Sequence, residues 1–132
     1  MRIQVKDFMS APVITATAED SVAEIRAMMK EKGINAIPVI SYANDSLKVD
    51  ITIRGIVTST DINKELPENT TVEEVMTSTN VRIAHADSSA MAAAKMMLKS
   101  KVHHVVVMDD GEIIGMLSSL DFVKLIAEHA LE

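Results

Sequence analysis

The chain has 132 residues, of which 48% are hydrophobic and 24% charged, proportions typical of a soluble globular protein of one domain or two very small ones. It has no cysteine, which excludes disulfides and thiolate chemistry, and its net charge of −6 without a Lys/Arg cluster argues against a nucleic-acid partner. No apolar run approaches the roughly 20 residues of a membrane span and the N-terminus lacks a signal-peptide core, so we expect a cytoplasmic protein without membrane insertion.

The first predicted elements are a short strand at 13–15 and a helix. Ser21, followed three residues later by Glu24, is the capping-box pattern with which helices begin. Gly33 is typical of the residue that follows a helix. The sequence therefore predicts a helix between Ser21 and Gly33.

A β-hairpin and a second helix follow. Residues 37–40 predict one strand, and the alternating residues 48–57 predict its partner. The second helix runs from about 58 to 66 and ends before Pro67. We expect residues 41–47 to lengthen the hairpin into a surface loop, and a protrusion that binds a partner is the alternative.

The second half of the chain repeats this order. Residues 67–71 form a linker, and Thr71 with Glu74 makes another capping box. The Asp-Asp-Gly at 109–111 predicts a tight turn between two strands. The predicted elements are a strand, a helix, two strands and a helix, at 81–83, 88–100, 102–108, 112–117 and from about 118 to the C-terminus.

Three pairs of matching segments show that the two halves are copies of one unit. The pairs are 5–10 with 72–77, 28–32 with 96–100, and 55–61 with 115–121, at offsets of 67, 68 and 60. The sequence therefore predicts an α/β (α+β) fold of two β-α-β-β-α repeats. Their limits are 5–66 and 72–126, with an insertion at about 41–53, a linker at 67–71 and a C-terminal helix extension at 127–132.

This repeat resembles a stand-alone tandem CBS-domain pair, also called a Bateman module. The resemblance covers residues 5–126 and rests on Asp7-Phe8-Met9, on Lys-Gly-Ile-Asn-Ala-Ile-Pro-Val at 32–39, and on Thr/Ser-x-x-Asp turns at 58–61 and 118–121. It implies two repeats packed about a pseudo-twofold axis, with clefts between them. In that family the clefts bind AMP, ADP, ATP or S-adenosylmethionine as a regulatory ligand, without a catalytic cofactor. It also implies a homodimer and a regulated partner protein.

The two Thr/Ser-x-x-Asp turns permit two interpretations. A hydroxyl at the N-cap with an acidic residue at N3 is a capping box, which a duplication copies as readily as a binding site. A helix N-terminus also favours phosphate. The family resemblance implies that Asp61 and Asp121 hold the ribose diol of the ligand, with Thr58 and Ser118 beside them.

The resemblance also makes the two clefts unequal. Family members that bind phosphorylated nucleotides carry basic residues before the second strand, and the first strand often supplies a hydroxyl group. His103, His104 and Thr15 fit these positions, whereas Asn35, Ala36 and Ile83 do not. The better site is predicted to contain Thr15, His103, His104, Ser118 and Asp121. The weaker site is predicted to contain Asn35, Ala36, Thr58, Asp61 and Ile83.

Other functions have less support in the sequence. The four histidines, His85, His103, His104 and His129, lack the spacing of a zinc site, so we expect no metal site. No Walker loop, Gly-x-Ser-x-Gly motif or cysteine supports an enzyme. The alternative to a sensor is a ligand-free interaction or dimerisation module. The last helix favours it by placing Phe122, Leu125, Ile126 and His129 on one face suited to packing on another subunit.

Overall fold

The computed structural model describes residues 2–45 and 48–129, which divide into two compact units. The first-repeat unit lies within residues 14–79, and the second-repeat unit combines residues 2–13 with residues 80–129. Each unit joins helices to one small sheet, which confirms the mixed α and β composition that the sequence predicts.

The first-repeat unit contains α1 (Val22–Lys32), β1 (Ala36–Asp45), β2 (Lys48–Thr58), α2 (Ser59–Ile62) and α3 (Val72–Val75). Strands β1 and β2 form an antiparallel pair. The hydroxyl of Ser21 accepts a hydrogen bond from the N–H of Glu24 at 3.1 Å, and Gly33 has the left-handed φ of 65°. Both predicted ends of α1 are therefore confirmed. The core is formed by α1, both strands and the two short helices, through Val22, Ile25, Met29, Ile37, Val39, Val57, Ile62 and Val72.

The second-repeat unit contains a 3-10 turn (Val5–Asp7), β3 (Ile83–His85), α4 (Ala90–Ser100), β4 (His104–Asp109), β5 (Glu112–Ser118) and α5 (Ser119–Glu128). Strand β3 is parallel to β4, and β4 is antiparallel to β5. The turn between β4 and β5 has φ values of 51° at Asp110 and 78° at Gly111, as the Asp-Gly pair predicts. The core contains Val5, Ala84, Ala93, Met97, Val105, Val107 and Leu117.

Two predicted strands are wrong or displaced. Residues 13–15 form no strand, and only the next residue, Ala16, bridges to Val39 of β1. The strand predicted at 81–83 is β3 and begins at Ile83. Both errors concern short segments whose strand character depends on a pairing partner far away in the sequence.

The surface loop predicted at 41–47 is also wrong over its described part. The strands of the hairpin continue through it, with cross-strand pairs from Ser41↔Thr52 to Asp45↔Lys48. The first copy has eight more residues here than the second, as the fall in offset from 68 to 60 shows, and they lengthen a two-stranded ribbon. Residues 46 and 47, at its tip, lie outside the described residues.

The helix predicted at 58–66 ends much earlier. Helix α2 stops at Ile62, because the guanidinium of Arg26 donates to the carbonyl oxygens of Ile62 at 2.7 Å and Lys64 at 3.4 Å. These carbonyl groups need no further helical turn to be satisfied. The last helix, α5, ends at Glu128, and residues 130–132 of the extension predicted at 127–132 lie outside the described residues.

The compact units and the sequence repeats have different boundaries, because the opening segment of each repeat belongs to the unit of the other. Ser10 exchanges backbone hydrogen bonds with Met116 of β5 at 2.8 and 3.0 Å, and Thr77 exchanges two with Ile56 of β2, both at 2.9 Å. The opening segment of each sequence repeat is thus paired with the closing strand of the other sequence copy. For this reason residues 2–13 belong to the second-repeat unit.

In each unit the opening segment crosses the closing strand beside a glycine, which makes the close approach possible. A Cβ atom on Gly115 would lie 2.8 Å from the carbonyl oxygen of Ser10, and one on Gly55 would lie 2.6 Å from that of Thr77. Real Cβ atoms do not approach carbonyl oxygens so closely. The ladder is bulged beside each glycine, between Val39 and Ile40 in one unit and between Val107 and Met108 in the other.

Candidate functional site at the first turn of α5

Both Thr/Ser-x-x-Asp turns are capping boxes. The N–H of Thr58 donates to Oδ2 of Asp61 at 2.8 Å, and the N–H of Asp61 donates to the Thr58 hydroxyl at 3.3 Å. Ser118 and Asp121 make the same two hydrogen bonds at the same distances. The capping interpretation is therefore confirmed for both turns. Each cap uses one carboxylate oxygen, and a carboxylate has about four acceptor sites, so capping leaves capacity for a ligand.

The helices that begin at these turns differ in length. Helix α2 has four residues, whereas α5 has ten. Only α5 continues beyond a single turn, so only its N-terminus carries the partial positive charge of a regular helix. The Asp121 turn is therefore the better place for a polar or anionic ligand group.

Asp121 lies at the wall of a cavity of about 750 Å³. One side of this cavity is formed by residues 2–11 and the other by α5, all within the second-repeat unit. The Asp121 side chain is half-buried, and its Oδ1 accepts a hydrogen bond from the hydroxyl of Ser10 at 3.2 Å. We call this space the Asp121 cavity.

Charged side chains of both signs line the Asp121 cavity. Arg2 and Lys124 contribute positive charge, while Asp7 and Glu128 add to the negative charge of Asp121. The cavity is therefore not the strongly basic pocket that a polyphosphate requires. A ligand with both positive and negative groups matches it better.

Two of the other residues predicted for the better site lie beside the turn, and the carbonyl oxygen of His103 accepts from the N–H of Ser119 at 2.9 Å. His104 is paired with Ser118 across β4 and β5 and is half-buried. His103 is exposed and lines a different hollow of about 450 Å³, where its Nδ1 lies 3.2 Å from Oγ of Ser119. Thr15 belongs to the first-repeat unit.

Four of the five residues of the weaker site are neighbours. Ala36 is paired with Thr58 in the β1–β2 ladder, and the carbonyl oxygen of Asn35 accepts from the N–H of Ser59 at 2.8 Å. Asp61 completes the turn at Thr58. Ile83 belongs to the second-repeat unit and is 52% exposed.

A group of metal-ligand types lies at the carboxyl ends of β3 and β4. His85, Asp87 and Asp109 offer ligand atoms within 4.8 Å of one another, and all three are exposed. Hydrogen bonds and ion pairs already account for the arrangement. Nδ1 of His85 accepts from the N–H of Asp87 at 3.1 Å, and the Lys6 ammonium lies 2.8 Å from Oδ1 of Asp87. The expectation of no metal site stays a prediction.

Sequence reasoning missed two residues near Asp121, namely Ser10 on the opposite wall of the cavity and Lys124 on the same helix. Ser10 stands at the same place in the first copy as Thr77 in the second, so the repeat alignment contained it. No motif singled it out, because its contact with Asp121 spans 111 residues of sequence. Lys124, one helical turn after Asp121, was detectable as a helix neighbour at i+3.

The longest helices, α1 and α4, have 11 residues each. Across residues 2–45 and 48–129, none combines the length and the apolar character of a membrane span.

The chain matches the CBS domain over residues 5–68 and again over residues 72–128. It belongs to the CBS-domain family, and the resemblance on which the sequence analysis relied is confirmed. One solved structure that it resembles is the CBS domain pair of protein MJ0100 in complex with 5′-methylthioadenosine and S-adenosyl-L-methionine. The identity is 32%, the TM-score is 0.77, and the match covers 97% of this chain and 98% of that one.

Two enzymes are among the curated relatives. L-aspartate semialdehyde sulfurtransferase of Methanocaldococcus jannaschii is 35% identical over 123 residues, and inosine-5′-monophosphate dehydrogenase of Korarchaeum cryptofilum is 32% identical over 117. These matches cover 92% and 88% of this chain but only 23% of each relative. The similarity is therefore to one part of each relative.

Proposed function

We propose that this chain is a regulatory module that binds an adenosyl ligand at the first turn of α5, through the carboxylate of Asp121. The observation that carries the proposal is the position of this half-buried carboxylate on the wall of the Asp121 cavity. A related CBS pair, 32% identical, has been solved with two adenosyl ligands, which supports this ligand class. The module acts by binding, without a reaction of its own.

The chemistry of the turn suits a ribose. The two hydroxyl groups of a ribose are hydrogen-bond donors, and Asp121 is an acceptor whose Oδ2 is fixed by the N–H of Ser118. Because the cap sets the side-chain rotamer, the remaining lone pairs point in a defined direction before the ligand arrives. Such preorganisation lowers the ordering cost of binding.

The charges of the cavity distinguish among adenosyl ligands. Arg2 and Lys124 can pair with a carboxylate or a single phosphate, and Asp7 and Glu128 with an ammonium group. S-adenosylmethionine carries a carboxylate, an ammonium and a sulfonium, so its charges complement this wall. We therefore expect S-adenosylmethionine to bind more tightly than AMP and ADP, and ATP to bind most weakly of the four.

The test is a thermal-shift series with S-adenosylmethionine, AMP, ADP and ATP. A ligand at 100 times its dissociation constant stabilises the folded state by about 2.7 kcal/mol. Asp121→Asn keeps an acceptor for the cap but removes the charge, and we expect it to abolish the shift. Asp61→Asn makes the same change at the other capping box and is expected to retain the shift. No shift with any of the four ligands would refute the proposal.

We further propose that the module forms a homodimer through α5. Leu120, Val123 and Ile126 of this helix are 67%, 60% and 56% exposed, an unusual concentration of apolar surface. The face predicted from the sequence is different in part. Phe122 and Leu125 are half-buried, and Phe122 packs edge-on against Phe8 with ring centroids 5.0 Å apart.

Sedimentation velocity tests the dimer independently of any ligand. Val123→Glu is expected to convert dimer to monomer, because it introduces a charge into the apolar surface. Lys30→Glu, an exposed charge change on α1, is the control and is expected to leave the dimer intact. If the unmodified chain sediments as a monomer at micromolar concentration, this interface does not exist. A dimer without any thermal shift favours the ligand-free interaction module.

A further inference from the structure

The carboxylate proposed to hold the ligand already has a hydrogen-bond donor from the chain itself. The hydroxyl of Ser10 lies 3.2 Å from Oδ1 of Asp121, the oxygen that the cap does not use. We infer that Ser10 is an internal competitor of the ligand, whose hydroxyl occupies one of the Oδ1 acceptor sites that the ribose diol would otherwise use. The inference rests on the proposed function and adds a residue that sets the affinity of the site.

The backbone holds Ser10 in this position firmly. The N–H groups of Val5 and Lys6 donate to the carbonyl oxygens of Ser88 at 2.8 Å and Ala86 at 3.0 Å. Ser10 itself is paired through two backbone hydrogen bonds with Met116, at the point where Gly115 leaves room for the crossing. The contact with Asp121 therefore follows from the backbone hydrogen bonds that join residues 2–13 to the rest of the second-repeat unit.

A count of hydrogen bonds gives the size of the effect. In the ligand-free chain, the two oxygens of Asp121 accept from the N–H of Ser118 and from the hydroxyl of Ser10. A ribose hydroxyl at Oδ1 gains one hydrogen bond and breaks one, and the displaced, exposed Ser10 turns to water. Without Ser10, the same ligand displaces only water from Oδ1, so removing the hydroxyl spares the net value of the intramolecular hydrogen bond and strengthens binding about two- to tenfold.

The first-repeat unit provides a natural comparison. Thr77 occupies the position that corresponds to Ser10, and its backbone is paired with Ile56 as Ser10 is paired with Met116. Among the hydrogen bonds of the described residues, none joins Thr77 to Asp61. The internal competitor is therefore specific to the Asp121 turn. It also follows that a threonine is compatible with this backbone.

Titration calorimetry of the whole chain with S-adenosylmethionine and with AMP tests the inference. Ser10→Ala is expected to lower the dissociation constant two- to tenfold for whichever probe binds. Thr77→Ala is the matched change in the other copy and is expected to have no effect.

Each outcome separates the inference from the proposed function. If the unmodified chain binds and Ser10→Ala binds equally or more weakly, the competitor is refuted while the adenosyl site stands. Binding by Ser10→Ala alone supports a site held closed by Ser10. If no variant binds either probe, both the site and its competitor are refuted.

Discussion

Gly115→Ala is the change that tests most directly how residues 2–13 are attached to the second-repeat unit. The new Cβ atom would lie 2.8 Å from the carbonyl oxygen of Ser10 and 2.8 Å from Sδ of Met9. Overpacking of this kind costs about 1–3 kcal/mol. If Ser10 moves away, the two hydrogen bonds that it exchanges with Met116 are also weakened, at about 1 kcal/mol each.

Alanine also lowers the conformational entropy of the unfolded chain, which stabilises the folded state by about 0.4–1 kcal/mol. The expected net loss in the free energy of unfolding is therefore about 2–4 kcal/mol. For a chain of 132 residues, with an unfolding entropy of about 2.1 cal/mol/K per residue, the melting temperature falls by about 7–14 °C. Thermal denaturation followed by circular dichroism measures this loss.

A second variant separates the two contacts. Met9→Ala in the Gly115→Ala background removes the flexible sulfur contact but leaves the carbonyl oxygen of Ser10 in place. We expect it to recover less than half of the lost stability. A Gly115→Ala variant within about 0.5 kcal/mol of the unmodified chain, the usual range of neutral surface changes, would refute the close crossing.

Three further predictions concern the second-repeat unit. Lys101 has a left-handed φ of 56° after α4, so Lys101→Gly should raise the free energy of unfolding by roughly 1 kcal/mol in a urea titration; unchanged or lower stability would contradict this. The Lys6 ammonium lowers the pKa of Asp87 through a hydrogen bond and charge attraction, so this stabilisation is present above the ordinary value of 3.8 and lost below it. The stability difference between the unmodified chain and Asp87→Asn should therefore vanish as the pH falls below 3.8, and a difference that persists in acid would exclude the ion pair as its cause. A double-mutant cycle of Phe8→Leu and Phe122→Leu should give a coupling of about 0.5–1.5 kcal/mol from the edge-on ring pair, and zero coupling would mean that the rings do not meet.

Local sequence signals predicted the caps correctly because a cap involves residues three apart. Ser21, Thr58, Thr71 and Ser118 each begin a helix where the sequence indicates one. The repeat also predicted the order of elements, since similar sequences fold alike. The strand at 13–15 could not be judged in this way, because a strand requires a partner that its own residues do not specify.

The candidate site also combines a part that the sequence predicted and a part that it did not. Asp121 and Ser118 were identified from a four-residue motif, and their geometry depends only on the start of α5. The opposite wall comes from residues 2–11, more than a hundred positions away in sequence. Hydrophobic periodicity does not report such contacts. The length of α2 was missed for a related reason, because Arg26 ends that helix from α1.

The duplication separates structural roles from functional ones. The capping boxes, the bulges and the close glycine crossings occur in both copies, and each has a sufficient explanation in folding. Selection for a ligand in one copy would appear as a difference between the copies. Such differences converge on the start of α5, where the helix is long and where Ser10 donates to Asp121. An asymmetry between the two copies that is centred on one carboxylate is what the proposed ligand site at Asp121 predicts.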